Sequence, residues 1–508
     1  MILSRSVYAG NAGTVTVGQT LPPGCVARTA SVPLLAGGTA NVKVKCATAT
    51  ADGTYPGVFA NDQADGSFGV TSPIFLDNLS TEGEELGSFA VPTDRIVTSF
   101  SSKSELAVNL STAGKSITFM GYHGGPGFPT AINQLDVSNS NTPGVIDPTN
   151  PVATQYYRAV VEVDAHGRLQ ITDGNAYSGN NGRAAIKANG LYYLTGNDNN
   201  GGLSSSQLTS TQIGVDLIQS TGAELLVPGS VPPLSPNIDK IGDFEVTQAG
   251  YVTPDKAGKD NNFRGLTIFN DTLFVTKGSG GNGINTVYQV GRTGTLPRGT
   301  AGQLAQEPIT ILPGLPTSLA SGVDQQGNPA PVAFPFGIWF ADARTLYVCD
   351  EGDGTFVAPA VAGNVADAAS RATAGVQKWS LAGGTWRLDY VLQDGLDIGV
   401  PYAVGGLPAA LNPATGGCRN LTGKVHGDGT VEIFAVTSTI SASGDQGADP
   451  NKLVKVRDLL RATALPQAPR HGDDGAELGR FTTLRTAAAG EVLRGVSFAP
   501  RDDGDGEK

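Results

Sequence analysis

The stretch 334-FPFGIWFADARTLYVCDEG-352 is a short apolar strand. It opens on Phe336-Gly337, breaks at a polar turn, and resumes as Leu346-Tyr347-Val348 before ending on Asp350-Glu351. One copy reads as a hairpin. The same pattern recurs as RAAIKANGLYYLTGND from Arg183, RGLTIFNDTLFVTKGSG from Arg264 and RNLTGKVHGDGTVEIFAVTS from Arg419. A looser copy, SELAVNLSTAGKSITFMGYHG, begins at Ser104, and a half-copy, RGVSFAP, at Arg494. Successive starts lie 79, 81, 72, 83 and 75 residues apart. A fixed period of this kind is the mark of a repeat architecture.

Each unit carries two further β segments. Third strands read as RAVVEVDAHG, QIGVDLIQSTG, NTVYQVGRTG, GVQKWSLAGG and NKLVKVRDLL, and fourth strands as RLQITDG, AELLVPG, PITILPG, WRLDYVLQ and RFTTLRT. Six units of four antiparallel strands predict an all-β fold, a six-bladed β-propeller. The last unit stops after its first strand. The N-terminal ILSRSVYAG can supply its second strand, with SPIFLDNL and GSFAVP as third and fourth. One C-terminal and three N-terminal strands would then close the ring and remove free sheet edges. Residues 1–500 read as a single domain, with an insertion over 10–71 inside the closing blade. GTVTVGQ and NVKVKC are candidate extra strands there, and the insertion is placed to cap one face of the disc. The charged tail RDDGDGEK, 501–508, reads as disordered.

The composition agrees with this. The chain has 508 residues and 69 glycines, 16% of residues are charged, and net charge is −12. No Lys/Arg-rich face stands out, so nucleic acid is not an expected partner. No apolar run reaches the roughly 20 residues that span a bilayer. MILSRSVYAG is too short and too polar for a signal peptide. The low Lys content and many Asn, Gly, Thr and Ser residues fit an exported bacterial protein, secreted or periplasmic, that has lost its leader. The four cysteines, Cys25, Cys46, Cys349 and Cys418, form no CxxC or zinc pattern. Three disulfide pairings are open, and so are four free thiols. Loop position favours Cys25–Cys46, and repeat position favours Cys349–Cys418.

FPFGIWFADARTLYVCDEG resembles the NHL-type propeller pattern, in which a Pro-x-Gly-Ile inner strand is followed by a Tyr-Val-x-Asp second strand. More broadly, the chain is similar to six-bladed propellers of the gluconolactonase, paraoxonase and strictosidine-synthase-like group. The resemblance implies a fold, not an activity. It implies that the first strand of each blade lines the channel, starting at the face where the second strand ends. Ser104, Arg183, Arg264, Phe336, Arg419 and Arg494 then share a face with Tyr122, His123, Asn197, Asp198, Lys277, Asp350 and Glu351.

Four of six blades place Arg at one register in an acidic protein. Each Arg has two readings: a cross-blade ion pair with a carboxylate such as Asp198, Asp260, Asp350 or Glu351, or a ligand contact. Candidate ligand-binding residues are Arg183, Arg264, Arg419, Arg494, Lys277, Tyr122 and the Asn pairs before two of the arginines, represented by Asn181 and Asn262. His123 in GYHGGPG is the histidine best placed for proton transfer, with Asp350 and Glu351 as acids. His166, His426 and His471 read as loop residues. Gluconolactonase-like propellers hold a Ca2+ in the channel on Glu, Asn and Asp. Here the inner strands start with Arg instead, which leaves Asp350, Glu351 and Asp353 of DEGDGT as the oxygen-ligand set for such a cation. An exposed Trp386 would be able to stack on sugars.

No G-x-S-x-G elbow, P-loop, dinucleotide fingerprint or HExxH occurs. Two functions follow. The first is a secreted propeller binding a polar or anionic small molecule, a glycan or a protein loop on the channel face. The alternative is a lactonase/esterase-like hydrolase or a lyase working in the channel. The absence of a reaction-specific motif favours binding.

Overall fold

The structure is a computed structural model. It describes residues 1–10, 15–33, 38–44, 46–59, 69–135, 137–146, 150–197, 214–225, 237–253, 255, 261–278, 281–354, 372–443, 446–466 and 478–502. Asp198, Asp260, His471 and the tail beyond 502 fall outside these residues.

Six four-stranded antiparallel sheets are present. Blade 1 runs Glu491–Ser497, Ile2–Val7, Ile74–Leu79, Glu85–Ala90, so one C-terminal strand and three N-terminal strands close the ring. Blade 2 is Asn109–Leu110, Ser116–Gly124, Tyr156–Asp164, Leu169–Thr172. Blade 3 is Gly182–Ala188, Leu191–Gly196, Val215–Gln219, Asp239–Lys240. Blade 4 is Leu266–Phe269, Thr272–Lys277, Thr286–Val290, Ile309–Ile311. Blade 5 is Pro335–Asp342, Thr345–Asp350, Gly375–Ala382, Thr385–Leu392. Blade 6 is Ala414–Val425, Thr430–Ile440, Lys452–Leu459, Thr482–Thr486. One short α-helix, Ala301–Leu304, occurs among the described residues.

Alternation along each strand builds the ring. Neighbouring side chains point to opposite sheet faces, so each blade feeds two cores. Phe119 packs into the core shared by blades 1 and 2, while Met120 packs into that of blades 2 and 3. Val275 goes to blades 3 and 4, and Phe274 to blades 4 and 5. Ile433 packs between blades 5 and 6, and Phe434 between blades 6 and 1. Six apolar cores thus separate six blades.

A polar latch recurs between blades. The Thr195 hydroxyl donates to the Arg264 carbonyl at 3.1 Å, and Thr276 donates to the Phe336 carbonyl. Asn420 donates to the Arg494 carbonyl at 2.6 Å, Ser4 to Leu106 at 2.7 Å, and Thr118 to Ala185 at 2.7 Å. Between blades 5 and 6 the position aligned with Thr276 is Cys349, and there the disulfide Cys349–Cys418 makes the link. Cys25–Cys46 is the second disulfide.

Three expectations need correction. The fourth strand of blade 3 is Asp239–Lys240, not the AELLVPG segment, whose described part, 223–225, forms no strand. In the insertion, Thr39–Val44 pairs with Arg28–Pro33, as a strand at NVKVKC requires, but GTVTVGQ forms no strand over its described residues. Trp386 is buried against Phe340 between blades 4 and 5, because its strand turns this face inward. The insertion packs Val15, Leu21, Val58, Phe59 and Val70 against Phe100, Ala448 and Val492.

Candidate functional site

Every Arg of the repeat register sits on a backbone irregularity. Gly182 pairs with Gly196 and Ala184 with Thr195, which leaves Arg183 as an extra residue. Arg419 and Arg494 are extra in the same way on their own inner strands. In blade 4, Arg264 and Gly265 both bond to the main chain of Thr276. Blade 5 skips Phe336-Gly337. A bulge re-aims the side chain it carries. The glycine after the bulge admits the next blade: a Cβ on Gly265 would stand 2.3 Å from the Phe336 carbonyl oxygen.

The re-aimed side chains meet the segment leading from blade 1 to blade 2, which starts by pairing Thr98–Ser99 with Thr71–Ser72. Arg494 clamps that segment. Its guanidinium donates to the carbonyls of Ser102 (3.0 Å), Phe100 and Gly447 (2.9 Å) and to the Ser6 hydroxyl. Arg264 donates to the Ser104 hydroxyl and lies over the Phe336 ring at 5.7 Å. Arg419 Nε is 3.2 Å from Glu351 Oε2, and Lys103 Nζ is 3.7 Å from Glu351 Oε1. Arg183 donates to Asn262 Oδ1 and, at 2.7 Å, to the Phe263 carbonyl, both neutral oxygens. Arg183 is 4% exposed and Arg419 3%. Each keeps a buried guanidinium nitrogen, Nε of Arg183 and Nη2 of Arg419, without a hydrogen-bond acceptor.

Burial, and then the charge of Arg264, push the Arg183 pKa well below its ordinary value. Burial raises the Glu351 carboxyl, but Lys103, Arg419 and Arg264 outweigh it and hold it below the usual range. Glu105 accepts from the Thr98 hydroxyl (3.0 Å), the Ser99 amide (3.1 Å), Asn181 Nδ2 (2.5 Å) and the Tyr122 hydroxyl, and burial raises its pKa. Tyr122 is pushed up by burial and by Glu105.

The expected residues therefore fall into separate groups. Arg183 and Asn262 meet, as do Arg419 and Glu351, while Asn181 and Tyr122 meet at Glu105. Lys277 is fully buried and bound to Asn285 Oδ1 (3.0 Å) and the Asn282 carbonyl. His123 faces Asp173, Nδ1 to Oδ1 at 2.8 Å, and Asp173 Oδ2 is fixed by the Leu225 amide at 2.7 Å. Asp350 accepts from the amides of Phe334 (2.9 Å) and Gly352 (2.9 Å) and from Gln377 (3.1 Å). Asp353 is half-buried. Asp350, Glu351 and Asp353 do not fit a Ca2+ site: the first caps backbone amides, and the second is surrounded by cations. No group of three His, Cys, Asp or Glu side chains suited to a metal occurs among the described residues.

Sequence reasoning missed Lys103, Glu105 and Asp173. Lys103 and Glu105 flank Ser104 at the register where other blades carry Arg, and that position was the available signal. Asp173 follows the fourth strand of blade 2 and carries no motif.

The chain is thus a six-bladed β-propeller with a cation-rich cluster where its inner strands begin. No protein-family model matches it, and no curated protein matches it. Among solved structures it is similar to an inulosucrase from Halalkalicoccus jeotgali bound to kestose, with 11% identity and TM-score 0.27, covering 78% of this chain and 97% of that one. It is also similar to NanB with Optactamide, with 8% identity and TM-score 0.25, covering 86% and 60%. Superposition this loose says nothing about activity. The propeller rests on the strand order and the six inter-blade cores. No helix among the described residues is long and apolar enough to cross a membrane.

Proposed function

We propose that this propeller binds a small anionic molecule where its inner strands begin, with Arg183, Arg264 and Arg419 as the principal contacts. One observation carries the reading: Arg183 and Arg419 are buried with guanidinium nitrogens that have no acceptor; the charge of Arg264 also acts on Arg183. A buried unsatisfied donor costs about 1–3 kcal/mol, more when charged. A carboxylate, sulfate or phosphate group would satisfy these donors and offset the repulsion between the two arginines. Arg494 serves as a clamp on main-chain carbonyls. Two disulfides fit an oxidising compartment, hence a secreted or periplasmic protein.

The test is titration calorimetry with sulfate, phosphate and citrate. Wild-type protein should show saturable binding, and Arg264→Gln/Arg419→Gln should weaken it at least tenfold with unchanged circular dichroism. Unchanged affinity in the double variant, or no saturable binding by wild type, rejects the reading. The hydrolase or lyase reading has one supporting observation: Asp173 holds His123 Nδ1, which leaves Nε2 as a base. Turnover of a lactone or ester that disappears in His123→Ala would favour it.

A further inference from the structure

We infer that the Cys349–Cys418 disulfide is a positioning element of the anion site, setting the Glu351–Arg419 pair. The inference rests on the binding reading above. Leu273-Phe274-Val275-Thr276 and Leu346-Tyr347-Val348-Cys349 occupy the same place in blades 4 and 5. Thr276 reaches across to the carbonyl of the next blade's re-aimed residue, Phe336. Cys349 stands where that threonine would stand. It bonds instead to Cys418, the residue before the bulged Arg419.

The covalent link therefore sits at the base of the ion pair. Glu351 follows Cys349 by two residues, and Arg419 follows Cys418 by one. The main chains are pressed together around it. The Cα atoms of the two cysteines are 5.1 Å apart. A Cβ on Gly417 would lie 2.3 Å from the Asp350 carbonyl oxygen. The Ser438 hydroxyl donates to the Glu351 carbonyl at 2.7 Å. Arg419 is held through Nε by Glu351, so the direction of its Nη2 edge depends on where the Glu351 carboxylate is fixed. A displacement of about 1 Å at such a contact is enough to weaken it severely. Both cysteines are inaccessible to solvent, so the link is a buried brace that a reductant reaches only when the site opens, not a surface redox switch.

The test uses the full chain and sulfate and citrate as probes. Cys349→Ala/Cys418→Ala should bind them at least tenfold more weakly while keeping its near-ultraviolet circular dichroism. Cys349→Thr/Cys418→Ala, which grafts the threonine latch of the preceding junction, should recover most of that loss without a covalent bond. Wild-type affinity in the alanine pair overturns the inference. If the alanine pair does not fold, wild-type protein decides: saturating sulfate should slow reduction of Cys349–Cys418 by a phosphine and leave Cys25–Cys46 unaffected. Equal rates with and without sulfate overturn it. Failure of wild type to bind any probe defeats the binding reading itself, a distinct result.

Discussion

Asp216 gives the sharpest test of the packing. It lies on the third strand of blade 3, in register with Leu194 and Lys240, and is fully buried. Burial raises its carboxyl from 3.8 to about 7, with Tyr177 and Lys240 opposing the shift and Asp239 adding to it. In the unfolded chain the group ionises near 3.8. Between that pH and about 7 the unfolded state is charged while the folded state holds its proton, so stability falls as pH rises through this window and levels off above it. The span of about 3 units, at about 1.36 kcal/mol each, is about 4 kcal/mol. An unfolding entropy of about 2.1 cal/mol/K per residue gives the 508-residue chain about 1 kcal/mol/K, so the effect is about 4 °C in Tm. Asp216→Asn cannot ionise. Scanning calorimetry from pH 5 to 9 covers about 2 of those units, so wild type should lose about 3 °C relative to the variant, with the gap widest above pH 8. Parallel Tm profiles for the two proteins would refute the reasoning.

Two further perturbations probe the blade contacts. Lys378 and Asp458 form a fully buried ion pair at 3.2 Å, and Tyr347 (2.6 Å) and Tyr390 (2.7 Å) donate to the Asp458 oxygens. Asp458→Ala strands the Lys378 charge and should cost about 3–5 kcal/mol, read as a fall of several degrees in Tm. Gly265→Ala drives a Cβ to 2.3 Å from the Phe336 carbonyl oxygen, whereas Gly281→Ala meets nothing within 4 Å. The first should cost about 1–3 kcal/mol by overpacking and the second less than about 0.5 kcal/mol. Equal effects would mean that the blades do not approach as described.

The repeat was legible because its signals are local. Period-two alternation and turn residues recur within each unit, and RGVSFAP lacks a second strand that ILSRSVYAG can provide. Both disulfides were favoured from the positions of the cysteines in those units. The outer strand of blade 3 was misread because Ala223-Glu224-Leu225 has the residues of a strand but not its partner. Asp239–Lys240 instead pairs with Asp216 and Leu217. Trp386 was given an exposed, sugar-stacking alternative, and its packing against Phe340 overrides this.

By itself the sequence determined the blade, its sixfold recurrence, the seam between the two chain ends, and the register that puts Arg at successive inner strands. Tertiary structure alone decided what each of those arginines does. Arg494 is a clamp because the Phe100 carbonyl, 394 residues away in the chain, comes to meet it. Arg419 is anchored by Glu351, and Arg183 hydrogen-bonds to neutral oxygens, with Arg264 and Glu105 acting on its charge in opposite directions. Secondary structure follows from neighbours a few residues apart. The partners and free edge of a buried guanidinium follow from oxygens brought to it by ring closure, and no local pattern encodes them.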